Sequence, residues 1–296
     1  MKQLAMDHVI YAMSAGNPPA LRVSLGETFA LDTLDCYSGH LRRPEDRLDG
    51  ITGDWANPAT GPVFIEGTKA GDIIRLDILD ITVRDYAVMH TGPQAGALAH
   101  HMTARQTTII PIRHGIVEVQ PGLSLPVRAM IGVIGTAPAE QAVPTITPGE
   151  HGGNLDCRDI GAGASLYLPV NVPGALVAAG DIHAVQGDGE VCCCAAEVSG
   201  RITIRTELAA QRLPTPCVET AGELLFLASA KTLDECERAV LDKAHDFLVR
   251  GLGMDAADAA RLMSLAGGLG VCQVVDPLKT MKFAFPRTVL RSLGWA

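Results

Sequence analysis

The sequence holds no apolar run approaching the ~20 residues needed to cross a bilayer. Its first residues, MKQLAMDHVIYAMSAG, lack the apolar core of a secretory leader. A cytoplasmic protein is therefore the expectation. Aromatic residues are scarce at 4%, and charged residues reach only 19%. The charge that is present leans acidic, with 24 Lys and Arg against 33 Asp and Glu and a net charge of -9. That balance does not suit nucleic acid or an anionic membrane as the main partner. The eight cysteines include no CxxC pair, so a thiolate zinc site is not expected. There is no GxSxG elbow, no GxGxxG after a strand, no phosphate-binding loop and no HExxH. Serine-hydrolase elbows, dinucleotide sites, nucleotide sites and the commonest helical zinc site are thereby set aside.

What is present is a large hydrophobic fraction, 47% of 296 residues, which excludes a disordered chain and allows a large core. From residue 20 to about 207 the signals are those of strands. PVFIEGTKAGDIIRLDILDITV, RQTTIIPIRHGIVEV, LPVRAMIGVIG, ASLYLPVNVPGALVAAGDIHAV, EVCCCAAEVSG and RITIRTEL are rich in Val, Ile and Thr and separated by Gly and Pro. Many short strands with frequent turns predict a mainly β fold, a β-sandwich of jelly-roll-like character. After residue 215 the pattern changes. ELLFLASA reads as a strand. KTLDECERAVLDKAHDFLVRGLG reads as a helix, with Thr232 and Glu235 as a capping box and Leu233, Cys236, Val240, Ala244, Phe247 and Leu248 on its apolar face. DAADAARLMSLAGG reads as a second helix, started by Asp255. The expected division is a β body over 1–215, carrying the site, and a smaller α+β region over 216–296 packed on it.

Four polar stretches stand out against the apolar background. LDTLDCYSGHL carries Asp32, Asp35 and His40. TPGEHGGNLDCRD carries Glu150, His151, Asn154, Asp156 and Asp159. GDIHAVQGDGE carries Asp181, His183, Gln186, Asp188 and Glu190, and Glu197 closes the cysteine run. Read as a hairpin, GDIHAV and EVCCCAAEV put Asp181 and His183 on one strand face, and Cys192 and Cys194 on a common face. One neutral imidazole with two carboxylates is a common divalent-metal set, and a further carboxylate can serve as general base. Duller roles fit as well. Asp35 and Asp156 suit bonds to backbone amides, Asp188 a hairpin turn and His183 a satisfied place in the core.

TGPVFIEGTKAGDIIRLDILDI, MIGVIGTAP, TPGEHGGNLDCRDIGAGASLYLPVNVPGAL, GDIHAVQGDGEVC and CQVVDPLKT resemble, in order, the acetamidase/formamidase family. The resemblance implies hydrolysis of short amides such as formamide or acetamide to carboxylate and ammonia, and a γ-lactam as substrate for some relatives. It implies a metal-dependent hydrolase, with zinc the expected ion. By motif position Asp35, Asp156 and His183 are the implied metal ligands. Glu190 is the implied general base, and Glu150 and Gln186 orient substrate or ligands; His151 and His40 are alternatives. The loop over 93–106 departs from the family pattern, with two extra histidines, and is expected over the pocket. A cysteine nucleophile, Cys193 or Cys157, and a non-catalytic small-molecule binder are the competing readings. A homodimer is expected because self-association would cover apolar surface.

Overall fold

The computed structural model describes residues 1–48 and 55–295. Among the described residues the chain is mainly β, with two large sheets and α-helices confined to the C-terminal third. One sheet runs, edge to edge, through Lys2–Leu4, Thr28–Thr33, Gly200–Leu208, Ile73–Val83, Ser165–Pro169, Cys217–Glu219, Glu223–Ala230, Lys279–Pro286 and Gly268–Gln273. The other centres on Val177–His183, flanked by Met130–Gly135 on one side and by Ala59–Glu66 and Glu197–Val198 on the other.

Residues from both sheets form one core. Phe29, Leu31, Leu76, Ile202 and Ile204 of the first join Val63, Ile65, Ile131, Ile134 and Ile182 of the second. In Gly200–Leu208 the alternation read from RITIRTEL is realised. Ile202, Ile204 and Thr206 are buried, and Arg201 and Arg205 are exposed on the opposite face. Val177–His183 is buried along its whole length, as expected of a central strand covered on both faces.

The first sheet continues across residue 215. Ser165–Pro169 pairs with Cys217–Glu219, which pairs with Glu223–Ala230, so the C-terminal region extends the body's own sheet. On that extension sit helices α1 (Leu233–Asp246) and α2 (Ala256–Ala266). The Thr232–Glu235 capping box forms at α1, and Asp255 caps α2. Cys236, Val240, Ala244, Phe247 and Leu248 pack against Phe226, Phe283 and Phe285 in a second core cluster, whereas Leu233, expected on the same face, is 39% exposed at the first turn.

One strand expectation fails. EVCCCAAEV forms no strand before Glu197–Val198. Its residues are drawn off by other partners. Gly189 N donates to Cys272 O and Val274 N to Gly189 O, while Ala97 N donates to Val191 O. Glu190 and Cys193 take left-handed backbone, φ 46° and 60°. Tertiary hydrogen bonds to two distant segments override the β propensity of a Val-Cys run.

Candidate metal and amide site

Strand Val177–His183 brings Asp181 to the cavity wall and carries His183, buried, two residues further on. Glu197 is the antiparallel partner of His183, so their side chains meet across the ladder. Met130 flanks His183 on the other side. The neighbouring Gly132 leaves room for two acids. A Cβ there would lie 2.5 Å from Asp156 Oδ1 and 2.7 Å from Asp181 Oδ2. Asp156 arrives on the turn after Gly152–Asn154. Asp156, Asp181 and Glu190 all hold left-handed backbone, with φ of 42°, 56° and 46°. Such residues cost roughly 1 kcal/mol or more each and gather at functional sites.

The imidazole of His183 is the hub. Its Nε2 lies 3.1 Å from Glu197 Oε2, 3.3 Å from Asp181 Oδ1 and 3.9 Å from Asp156 Oδ1. Its Nδ1 lies 2.7 Å from Gln186 Oε1. Gln186 Nε2 donates to the Asp156 carbonyl at 2.7 Å, which orients the amide so that its oxygen faces His183. Nδ1 therefore carries a proton, and Nε2 faces three carboxylates, to which the charged ring donates and a deprotonated Nε2 would present a lone pair beside theirs. Lone pairs converge in this way around a cation.

The carboxylates tell the same story. Asp156 Oδ1 and Glu190 Oε2 are buried without a hydrogen-bond partner, and Glu197 Oε2 has only the ion pair with His183. Burial pushes Asp156 up to about 6 and Glu197 up to about 7. Glu190 and Asp276 are raised well above the carboxylate range by burial and by Asp156. For His183, burial favours the neutral ring, but Glu197 and Asp181 outweigh it and raise the imidazole well above its ordinary value. Five acids around one imidazole are a concentration of negative charge that a proton or a metal ion must offset. Two groups bring ligand atoms within 4.8 Å of one another: Asp156, His183 and Glu190, and Cys36, Asp181 and Glu197.

A cavity of about 400 Å³ opens beside these groups. Asp181, Glu190, Glu197, Asn154, Asp276 and Cys193 are on its wall. The 93–106 loop contributes Gln94, Ala95, Gly96 and Arg105 to the wall, whereas His100 and His101 stay outside it, exposed or nearly so.

The sequence-derived residues divide into two sets. Asp156, His183, Gln186 and Glu190 come together. Asp35 and Glu150 lie elsewhere. Asp35 is buried, but its Oδ1 accepts from the backbone N of Tyr37 and Gly39, both at 3.0 Å, and its Oδ2 accepts from Ser199 Oγ. That is the turn-capping role open to it from the start. Glu150 points outward, where Lys243 Nζ donates to both its oxygens at 2.9 Å. His40 is exposed and edge-on to Trp55, and His151 is buried away from the cavity wall. Sequence reasoning assigned no role to Glu197, Asn57 or Asp276. The signals for the first and last were in plain view, an acid closing the cysteine run and the quoted segment CQVVDPLKT. Nothing in the sequence marks Asn57, whose Nδ2 donates to Asp181 Oδ2 at 2.9 Å.

Fold and site thus describe a β protein with a buried, acid-rich pocket able to hold a cation and a small molecule. Residues 15–143 and 139–220 match the model of the acetamidase/formamidase family, and the chain belongs to that family. An acetamidase of Mycolicibacterium smegmatis is 35% identical over 260 residues, 64% of this chain and 63% of that one. The match to each curated relative spans less than two thirds of that relative's length. The crystal structure of an acetamidase from Bacillus halodurans superposes with a TM-score of 0.97 at 38% identity, covering 99% of this chain and 100% of that one. A γ-lactamase from Delftia acidovorans shares the fold, with a TM-score of 0.68 at 22% identity over 96% of this chain and 90% of that one.

Proposed function

We propose that the protein hydrolyses small primary amides, of the formamide and acetamide kind, to carboxylate and ammonia, and that a divalent metal ion, zinc, serves the reaction. The observation that carries this reading is the convergence of buried Asp156, Asp181 and Glu197 oxygens on His183 Nε2, beside Asp156 Oδ1 and Glu190 Oε2 that have no hydrogen-bond partner, around an imidazole whose other nitrogen is held by Gln186. His183, Asp156, Asp181 and Glu197 would hold the ion. Glu197 and Asp181 thus take the place that motif position alone gives to Asp35. When bound, the ion supplies Lewis-acid polarisation of the amide carbonyl and lowers the pKa of water.

The chain's own residues do the rest. Gln186 fixes the tautomer and direction of His183. Glu190, on the cavity wall, takes a proton from the attacking water and returns it to the departing nitrogen. The cavity wall turns the amide toward these groups and limits its size. A thiol nucleophile fits poorly. Burial first, then Glu190, pushes Cys193 up to about 12, which leaves a thiolate fraction on the order of 10⁻⁵ at neutral pH.

Glu190→Gln tests the assignment. It should retain zinc and lose at least ~10²-fold in ammonia release. Lost zinc or near-normal turnover would remove Glu190 from that role. Chelation should abolish ammonia release and zinc should restore it. No helix among the described residues is long and apolar enough to cross a membrane. We read the protein as cytoplasmic, and as a homodimer that covers Leu265, 85% exposed on α2, and Leu269, 46% exposed. Light scattering should give twice the chain mass.

A further inference from the structure

The segment CQVVDPLKT remains without a role in that scheme, yet it is among the most firmly built turns in the molecule. Gln273 is fully buried at its start. Its Oε1 accepts from the backbone N of Val275 at 2.9 Å and of Asp276 at 3.0 Å. Its Nε2 donates to Leu278 O at 2.7 Å and Thr280 Oγ1 at 3.1 Å. Lys279 Nζ closes the turn on Asp276 O at 2.8 Å. The bonds of Gly189 to Cys272 and Val274 hang this turn on the residue next to Glu190. The result is that Val275, Asp276 and Pro277 form part of the cavity wall.

The carboxyl of Asp276 is held as firmly as its backbone. Asn154 Nδ2 donates to Asp276 Oδ2 at 2.9 Å. Asn154 Oδ1 accepts from Asn57 Nδ2 at 3.2 Å, and the same nitrogen donates to Asp181 Oδ2. A chain of two amides therefore sets the distance from Asp276 to the His183 cluster. A primary amide presents one acceptor, its carbonyl oxygen, and two N–H donors. The His183 cluster serves the carbonyl end and Glu190 is taken up with the proton. The N–H donors need a fixed acceptor on the cavity wall, and Asp276 stands there beside Asp156.

We propose that Asp276 is that acceptor, the residue that binds the N–H of the substrate and selects unsubstituted amides over N,N-disubstituted ones. This rests on the proposed amide hydrolysis. In either protonation state the carboxyl keeps an acceptor oxygen. Asn154 is the positioning residue behind it.

The test uses zinc-loaded protein, the KM of acetamide and the inhibition constant of N,N-dimethylacetamide, which has no N–H. Asp276→Asn keeps the shape and lets Asn154 donate to the remaining oxygen, but turns an NH₂ toward the substrate nitrogen. The KM of acetamide should rise by at least ~10-fold, with the N,N-dimethylacetamide constant within about threefold and zinc content unchanged. Parallel changes in both constants, a fall in kcat alone, or loss of zinc would overturn the role. If Asp276→Asn does not fold, the same pair of constants on Asp276→Ser decides. Calorimetric binding of acetamide keeps the two readings apart. Wild-type protein that binds acetamide without releasing ammonia refutes the hydrolysis, and the Kd ratio of the variant still judges Asp276. Wild-type protein that binds no amide refutes both.

Discussion

His151 offers a test of burial that is independent of any ligand. It is 7% exposed, and its Nε2 has no hydrogen-bond partner. Burial alone lowers it from 6.5 to about 4. The folded protein thus holds a neutral ring where the unfolded chain takes up a proton. Its contribution is fully present above about 6.5 and is lost as the pH falls toward 4, because the unfolded state then binds the extra proton. At ~1.36 kcal/mol per pH unit, the loss attributable to His151 is about 2 kcal/mol between pH 7 and pH 5, and about 3 kcal/mol by pH 4. The assay is urea unfolding of wild type and His151→Gln across that range. The raised carboxylates of the site titrate nearby with the opposite sign, but they are common to both proteins and cancel in the difference. Wild type should lose about 2 kcal/mol more than His151→Gln between pH 7 and pH 5. Parallel stability curves would mean that the ring is solvated or already paired, and the reasoning from burial would be wrong.

Further outcomes follow from particular contacts. Gly132→Ala places a methyl against Asp156 and Asp181, so zinc affinity should drop at least ~10-fold while the fold survives at a cost of about 1–3 kcal/mol; metal content and thermal melts measure both. Glu197→Gln should lose zinc, whereas Asp35→Asn should keep it and lose about 1–2 kcal/mol of stability through its turn, a contrast read by metal analysis beside urea unfolding. Lys243→Met should cost about 2–3 kcal/mol in urea unfolding, since Thr215 O and Leu227 O lose a buried donor, while Glu150→Gln should cost under ~1 kcal/mol because that carboxylate is exposed.

Much of this was legible in local pattern. Alternation along RITIRTEL, the Thr232–Glu235 box and the Cys236-to-Leu248 stripe state their own structure, because each depends on neighbours within a few residues. The resemblance carried by GGNLD and GDIH grouped Asp156 with His183, and Gln186 and Glu190 lie close enough in sequence to His183 to follow it. The strand alternation, the capping box and the helical stripe are short-range facts, and the sequence by itself determined them.

What only the tertiary structure decided was which acids complete the site. Asp35 and Glu197 read alike as acids at the end of a strand. Strand register puts Glu197 opposite His183, and a turn points Asp35 at the amides of Tyr37 and Gly39. Glu150 sits five residues before Leu155, in the most suggestive loop of the chain, yet Lys243 of α1 draws it outward. Asp276 comes to the cavity from more than a hundred residues beyond Asp156, through the bonds of Gly189 to Cys272 and Val274. Register, helix docking and long-range hydrogen bonds join residues far apart along the chain. No local periodicity records such distances, so the acid opposite His183 and the acid on the far cavity wall emerge only when the sheets are assembled.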